Sequence, residues 1–122
     1  MEAKNLDRSF EKIDEYWAPR VICSIEDFYL KIAKISGEFT WHTHENEDEL
    51  FIIHRGQMVL EIEDEKVGLK QGDVFLVQKG KRHRPVAKEE CEIILLEKKT
   101  TAHTGDVVTA HTRSIEDQLR SI

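Results

Sequence analysis

The chain has no long hydrophobic run. Among its 122 residues the longest purely apolar stretches are four residues, such as Leu50–Ile53 and Ile93–Leu96. A membrane-spanning helix needs about 20, so such a helix is excluded and no membrane partner is expected. The opening Met1–Asp7 carries acidic residues where a secretory leader has a basic flank and an apolar stretch, which leaves the cytoplasm as the expected compartment. Cysteine is scarce. Cys23 and Cys91 match no zinc or redox spacing, and both are expected to be reduced core residues. Positive charge is not in excess: 18 Lys and Arg stand against 24 Asp and Glu, a net charge of −6. That balance argues against a nucleic-acid backbone as the main partner. There is also no phosphate-cradling glycine loop, no Gly-x-Ser-x-Gly elbow and no informative Cys–His spacing.

What is present is a composition of 39% apolar and 34% charged residues, typical of a globular domain. The length suits one domain, expected over 1–122, with a strand-rich core over about 20–98 and an arm and helix over about 99–122. Leu6, Phe10, Ile13 and Trp17 recur at helical spacing behind a possible cap at Asn5, and Pro19 bars continuation. From Arg20 the pattern becomes strand-like. Runs at Arg20–Ile25, Asp27–Ser36, Phe39–His44, Glu49–His54, Met58–Glu63, Lys66–Lys70, Asp73–Gln78, His83–Ala87 and Cys91–Glu97 are separated by glycines and acidic turns. Nine short strands without intervening helical segments predict an all-β antiparallel sandwich or barrel. Thr100–Thr112 reads as a loop or arm, and Ser114 as the cap of a short final helix with Ile115, Leu119 and Ile122 on one side.

The informative stretch is Trp41–Glu49. In a strand, His42 and His44 point to one face, about 7 Å apart by the rise per residue. Glu49 opens the next run and shares a face with Phe51 and Ile53, which want the core. A carboxylate drawn inward is costly unless paired or bound to a cation. His83 on a later run offers a third imidazole. His42, His44, Glu49 and His83 are therefore candidate ligands of one divalent ion with open positions. Blander readings exist for each: a surface His pair, Glu47 or Asp48 as the inward acid, or His83 within a solvated basic run, Lys79–Arg84. Trp41 should face away from the ligand side, His54 lies opposite Glu49, and His103 and His111 read as surface residues. Phe39, Phe51, Met58, Leu60, Phe75 and Val77 are expected to fill the core or line a cavity.

The joint pattern resembles the cupin superfamily. Gly37, His42, His44, Glu49 and Gly56 follow the order of its first motif, and Gly72, Gly80 and His83 that of its second. Gly37 is one residue closer to His42 than usual, Gln78 stands where the motif has Pro, and Ala87 where it has Asn. None of these is a ligand in the family. The segment His83–Ala87 is similar to that of small single-domain cupins likened to the barrel of mannose-6-phosphate isomerases. The resemblance implies a double-stranded β-helix, or jelly roll, with a short helix at each end. It also implies one ion (Fe, Mn, Ni, Zn or Cu) on those four residues, a small-molecule ligand or substrate, and a homodimer formed through the terminal segments, with Trp41, His54 and Arg55 as secondary contacts. The function expected is a small metalloenzyme, an oxygenase, isomerase or lyase, its metal doing Lewis-acid or oxygen-dependent work; the alternative is a ligand- or metal-sensing module without turnover.

Overall fold

The computed structural model describes residues 1–122. Helix α1 spans Leu6–Glu11, capped by the Asn5 side chain accepting from Arg8 N–H at 3.0 Å. It ends before the expected apolar stripe does. Trp17 lies outside it with φ 57°, fixed instead by its backbone N–H to Lys34 O and its indole N–H to Ser36 O, both at 2.9 Å.

Seven strands follow: β1 Arg20–Ile25, β2 Phe28–Glu38, β3 Glu49–Arg55, β4 Gln57–Ile62, β5 Glu65–Lys70, β6 Val74–Val77 and β7 His83–Lys98. All named pairings are antiparallel. Five strands run in the order β1-β2-β7-β3-β6, and β4 joins β5 to β7. This is the jelly-roll arrangement expected of the all-β reading. The count differs from nine for two reasons. The runs at His83–Ala87 and Cys91–Glu97 are one strand bent at exposed Lys88–Glu90, where the register with β2 shifts between Ile35 and Gly37. Phe39–His44 is not a strand; it is a loop whose one β-bridge pairs His42 with His83.

The alternation of β2 and β7 sorts two cores. One face carries Ala33, Ile35, Ile93 and Leu95 into the barrel with Phe39, Phe51, Ile53, Met58 and Leu60. The other carries Ile32 and Ile94 outward, beneath Phe10 and Ile13 of the N-terminal segment. Both faces are covered, so β7 reads as a continuous apolar run at Ile93–Leu95 rather than an alternating one. Cys91 is buried in the first core, whereas Cys23 is exposed and both thiols are free. Cys23 therefore departs from the core expectation: on β1 it follows buried Ile22 and takes the exposed side of the strand.

The tail folds back over the barrel mouth. Thr43 N–H donates to Asp106 Oδ1 at 2.9 Å, and Asp106 N–H to Thr43 O at 3.1 Å. Gly105 sits between them at φ 58°, and a Cβ there would overlap the Thr43 carbonyl and press on His42 Cδ2. Only glycine satisfies both demands. Helix α2, Ile115–Gln118, is capped by Ser114 as expected, but it buries Gln118, and Leu119 is exposed. The inward face is chosen by a polar partner, Lys31 of β2, which donates to Gln118 Oε1.

Candidate metal centre

The loop at Phe39–His44 and the start of β7 meet at a reciprocal backbone pair: His42 N–H to His83 O at 3.0 Å, and His83 N–H to His42 O at 2.9 Å. Each imidazole is then oriented from behind. His42 Nδ1 lies 2.8 Å from Thr40 O, and His83 Nδ1 2.8 Å from Lys81 O. A carbonyl only accepts, so both Nδ1 atoms carry a proton, and each ring turns its Nε2 toward the cluster. Glu49 is turned inward at the head of β3 with Phe51 and Ile53. Its Oε1 stands 3.3 Å from His83 Nε2 and 3.6 Å from His44 Nε2. His44 is buried, and neither ring nitrogen has a hydrogen-bond partner.

The ligating atoms of His42, His44, Glu49 and His83 all lie within 4.8 Å of one another. Ligands about 2.1 Å from one ion sit at most about 4.2 Å apart, so the four atoms need only small shifts to share one. This group could hold a metal ion. The donor set, three imidazoles and a carboxylate, suits a borderline divalent ion.

Electrostatics separate the members. Burial pushes His42 down to about 4, with neighbouring His83 adding to the effect. Burial acts on His44 in the same direction, but the Glu49 carboxylate outweighs it and raises that group. Glu49 is held well below its usual range, against its burial, by His44 and His83. Its cross-strand neighbour Glu97 is pushed well above that range by burial and by the Glu49 charge. Two buried carboxyls in contact disfavour each other's charge, and Glu97 is the one pushed up although Lys31 works against the shift. Lys31 Nζ approaches Glu97 Oε1 at 2.6 Å and donates to Gln118 Oε1 at 2.6 Å. This contact is why α2 buries Gln118.

The four candidate residues are thus together, and the alternative acids are not. Glu47 accepts from the Thr100 hydroxyl at 3.0 Å, and Asp48 from Lys79 N–H at 2.9 Å, both at the surface. The basic run faces outward. Arg82 and Arg84 flank the Trp41 ring at 4.7 and 5.1 Å, and Lys81 pairs with Glu63 at 3.8 Å. His54 stacks on Phe10 and contacts Asp7 at 2.8 Å. Two surface assignments fail. His111 stacks on Phe39 with centroids 5.3 Å apart, and His103 lines the cavity beside the cluster. The folded-back tail brings them there, and no spacing in the sequence announces it. Lys31 and Glu97 were legible in principle, since they share the inward parity of Ala33 and Ile35, and of Ile93 and Leu95.

Comparison with known proteins agrees with this geometry. A family model described as "Cupin domain" matches residues 29–97, more than half of the chain and all four clustered residues. The chain belongs to the cupin family. It is similar to the uncharacterized protein YdbB of Bacillus subtilis, 33% identical over 82 residues, covering 66% of this chain and 73% of YdbB. Among solved structures it resembles a cupin-2 domain containing protein from Shewanella frigidimarina (TM-score 0.77, 36% identity, 79% of this chain and 94% of that one). Protein NMB1881 from Neisseria meningitidis follows the same fold (TM-score 0.73, 29% identity, 80% and 100% covered).

The cupin barrel leaves a cavity of about 40 Å³ beside the cluster. Apolar side chains including Ala33, Ile35, Phe39, Phe51, Ile93 and Leu95 form most of its wall, and its polar groups are His42, Glu49, Glu97 and His103. No helix of this cupin is long and apolar enough to cross a membrane.

Proposed function

We propose that this cupin is a metalloprotein in which His42, His44, Glu49 and His83 hold one divalent ion, and that it acts on a small molecule admitted to the adjoining cavity. The observation that carries the reading is the His44 ring, buried with both nitrogens unpartnered and 3.6 Å from a carboxylate that is itself buried. A burial of this kind is costly for the protein alone, and an ion at that position satisfies both groups. When bound, the ion supplies a Lewis acid for an oxygen ligand. The chain's own residues do the rest. Thr40 O and Lys81 O fix the tautomers of His42 and His83, Glu97 and Lys31 hold Glu49 in place, and the tail at Gly105 and Asp106 excludes bulk water.

A second reading, a sensing module without turnover, is favoured by one observation: all four residues are at most 5% exposed beneath the tail. Thermal melting tests what the two readings share. Divalent metal should raise Tm and chelator should lower it, because the ion binds the folded state. At a metal concentration 100-fold above Kd the gain is about 2.7 kcal/mol. Identical melting curves with Zn(II), Co(II), Mn(II) and chelator would sink the metal reading.

A further inference from the structure

His103 is the polar group of the cavity that neither the cluster nor the fold uses up. Its Nδ1 accepts the Arg113 backbone N–H at 2.8 Å. A ring nitrogen that accepts an N–H carries no proton, so the proton of the neutral ring sits on Nε2. That atom makes no hydrogen bond within the protein, and the residue lines the cavity opposite a largely apolar wall. Burial, with Lys31 nearby, pushes the ring down to about 3, so it is neutral and its donor is fixed across the neutral pH range. The Phe39 ring, 5.4 Å away by centroids, packs against its face.

We propose that His103 Nε2–H is the hydrogen-bond donor for a short-chain monocarboxylate held in this cavity, with one oxygen toward the four-residue cluster and the other on His103. The inference rests on the metal reading above and adds the ligand class to it. Size sets the first limit. A cavity of about 40 Å³ holds roughly three water-sized positions, which suits an acetate-sized body and excludes a sugar unless the tail moves. Charge sets the second. No lysine or arginine lines the cavity, and Lys31 behind Glu97 is already engaged by Glu97 and Gln118, so a phosphate or dicarboxylate would bring a second negative charge with only the ion free to meet it. The apolar wall sets the third, because it has nothing to offer a polar far end and packs well against an alkyl one.

The test is acetate titration of Co(II)-loaded protein, followed through the visible ligand-field bands, for the wild type, His103→Gln and His103→Phe, with malonate as the dianionic control. Co(II) content is measured on each sample. Losing a hydrogen bond to a charged ligand weakens binding by about 10-fold to 100-fold. The expected result is saturable acetate binding by the wild type, affinity within about threefold in His103→Gln, at least tenfold weaker binding in His103→Phe at full Co(II) content, and a weaker malonate response throughout. Wild-type affinity in His103→Phe would overturn the proposal, as would equal loss in both variants, malonate binding as well as acetate, or no acetate response in Co(II)-loaded wild type; in each case the metal reading stands. Wild type that takes up no Co(II) would overturn the metal reading itself, and this one with it.

Discussion

Glu49 and Glu97 stand opposite each other in neighbouring strands, both buried, one held below the usual carboxylate range by the histidines and the other pushed above it by burial and the Glu49 charge. The consequence is an order across the barrel: Lys31, Glu97, Glu49 and then the imidazoles, in which Glu97 is the carboxyl that favours a proton. A glutamine can replace a protonated glutamate in such a chain, since its amide donates to Glu49 and its carbonyl accepts from Lys31. Glu97→Gln should therefore cost about 1 kcal/mol or less, whereas Glu97→Leu strands Lys31 and should cost about 3 kcal/mol or more. Urea unfolding of the metal-free protein separates the two. Equal losses would mean that Glu97 is ionised.

The tail contributes through a backbone position that admits one residue type. Gly105→Ala places a Cβ against the Thr43 carbonyl at a positive φ. The conformation alone costs about 1 kcal/mol, and displacing the carbonyl adds to it, so a loss of about 2 kcal/mol or more is expected in chemical denaturation. A neutral substitution would mean that the tail does not rest on the His42–His44 loop in solution.

Two imidazoles should cost the metal-free protein stability on acidification, against an opposite contribution from His44 and Glu97, whose folded values are raised. His42 and His103 are pushed down to about 4 and about 3 in the folded state, against an ordinary value near 6.5. Both folded values lie below the unfolded one, so the unfolded chain binds more protons between them. The stabilisation is complete above pH 6.5 and is lost as pH drops toward 4 for His42 and 3 for His103. Each group contributes up to about 1.4 kcal/mol per pH unit in that window. Unfolding free energies of wild type and His103→Phe from pH 7.5 to 5 isolate one of the two: the variant should lose less stability on acidification than the wild type. An identical pH dependence in the two would contradict the lowered folded value of His103.

The two thiols should differ in reactivity. Cys23 is exposed on β1, while Cys91 is buried and pushed up to about 11, chiefly by burial. A thiolate-selective reagent should label Cys23 quickly in native protein and reach Cys91 only after unfolding. Rapid labelling of both would show that the barrel opens near β7.

Much of this was readable from residue order alone, and the reasons for the exceptions are physical. Alternation placed Glu49 with Phe51 and Ile53, and that inward parity survives because β3 is a regular strand covered on both sides. His42 and His44 reached the site by a different route. Their segment is a loop, so period-two reasoning gave the right neighbours for the wrong reason; the His42–His83 backbone pair does the aiming. His103 looks like a surface residue in the sequence because its position depends on a tail that turns back at Gly105 and docks through Thr43 and Asp106, contacts far apart in sequence. Lys31 and Glu97 carried the right parity, but a charged residue within a strand is ordinarily solvent-facing, and only their mutual pairing makes burial affordable.

The most direct test of the central claim is the metal content of protein purified without an affinity tag, measured by elemental mass spectrometry after reconstitution at pH 8, for the wild type and His44→Ala. The expected result is about one ion per wild-type chain and little or none in a folded His44→Ala, with affinity in the wild type falling on acidification, first through His44, whose titration is raised by Glu49 and which must be neutral to ligate. Wild-type protein that retains no ion, or a His44→Ala variant that retains as much as the wild type, would contradict it.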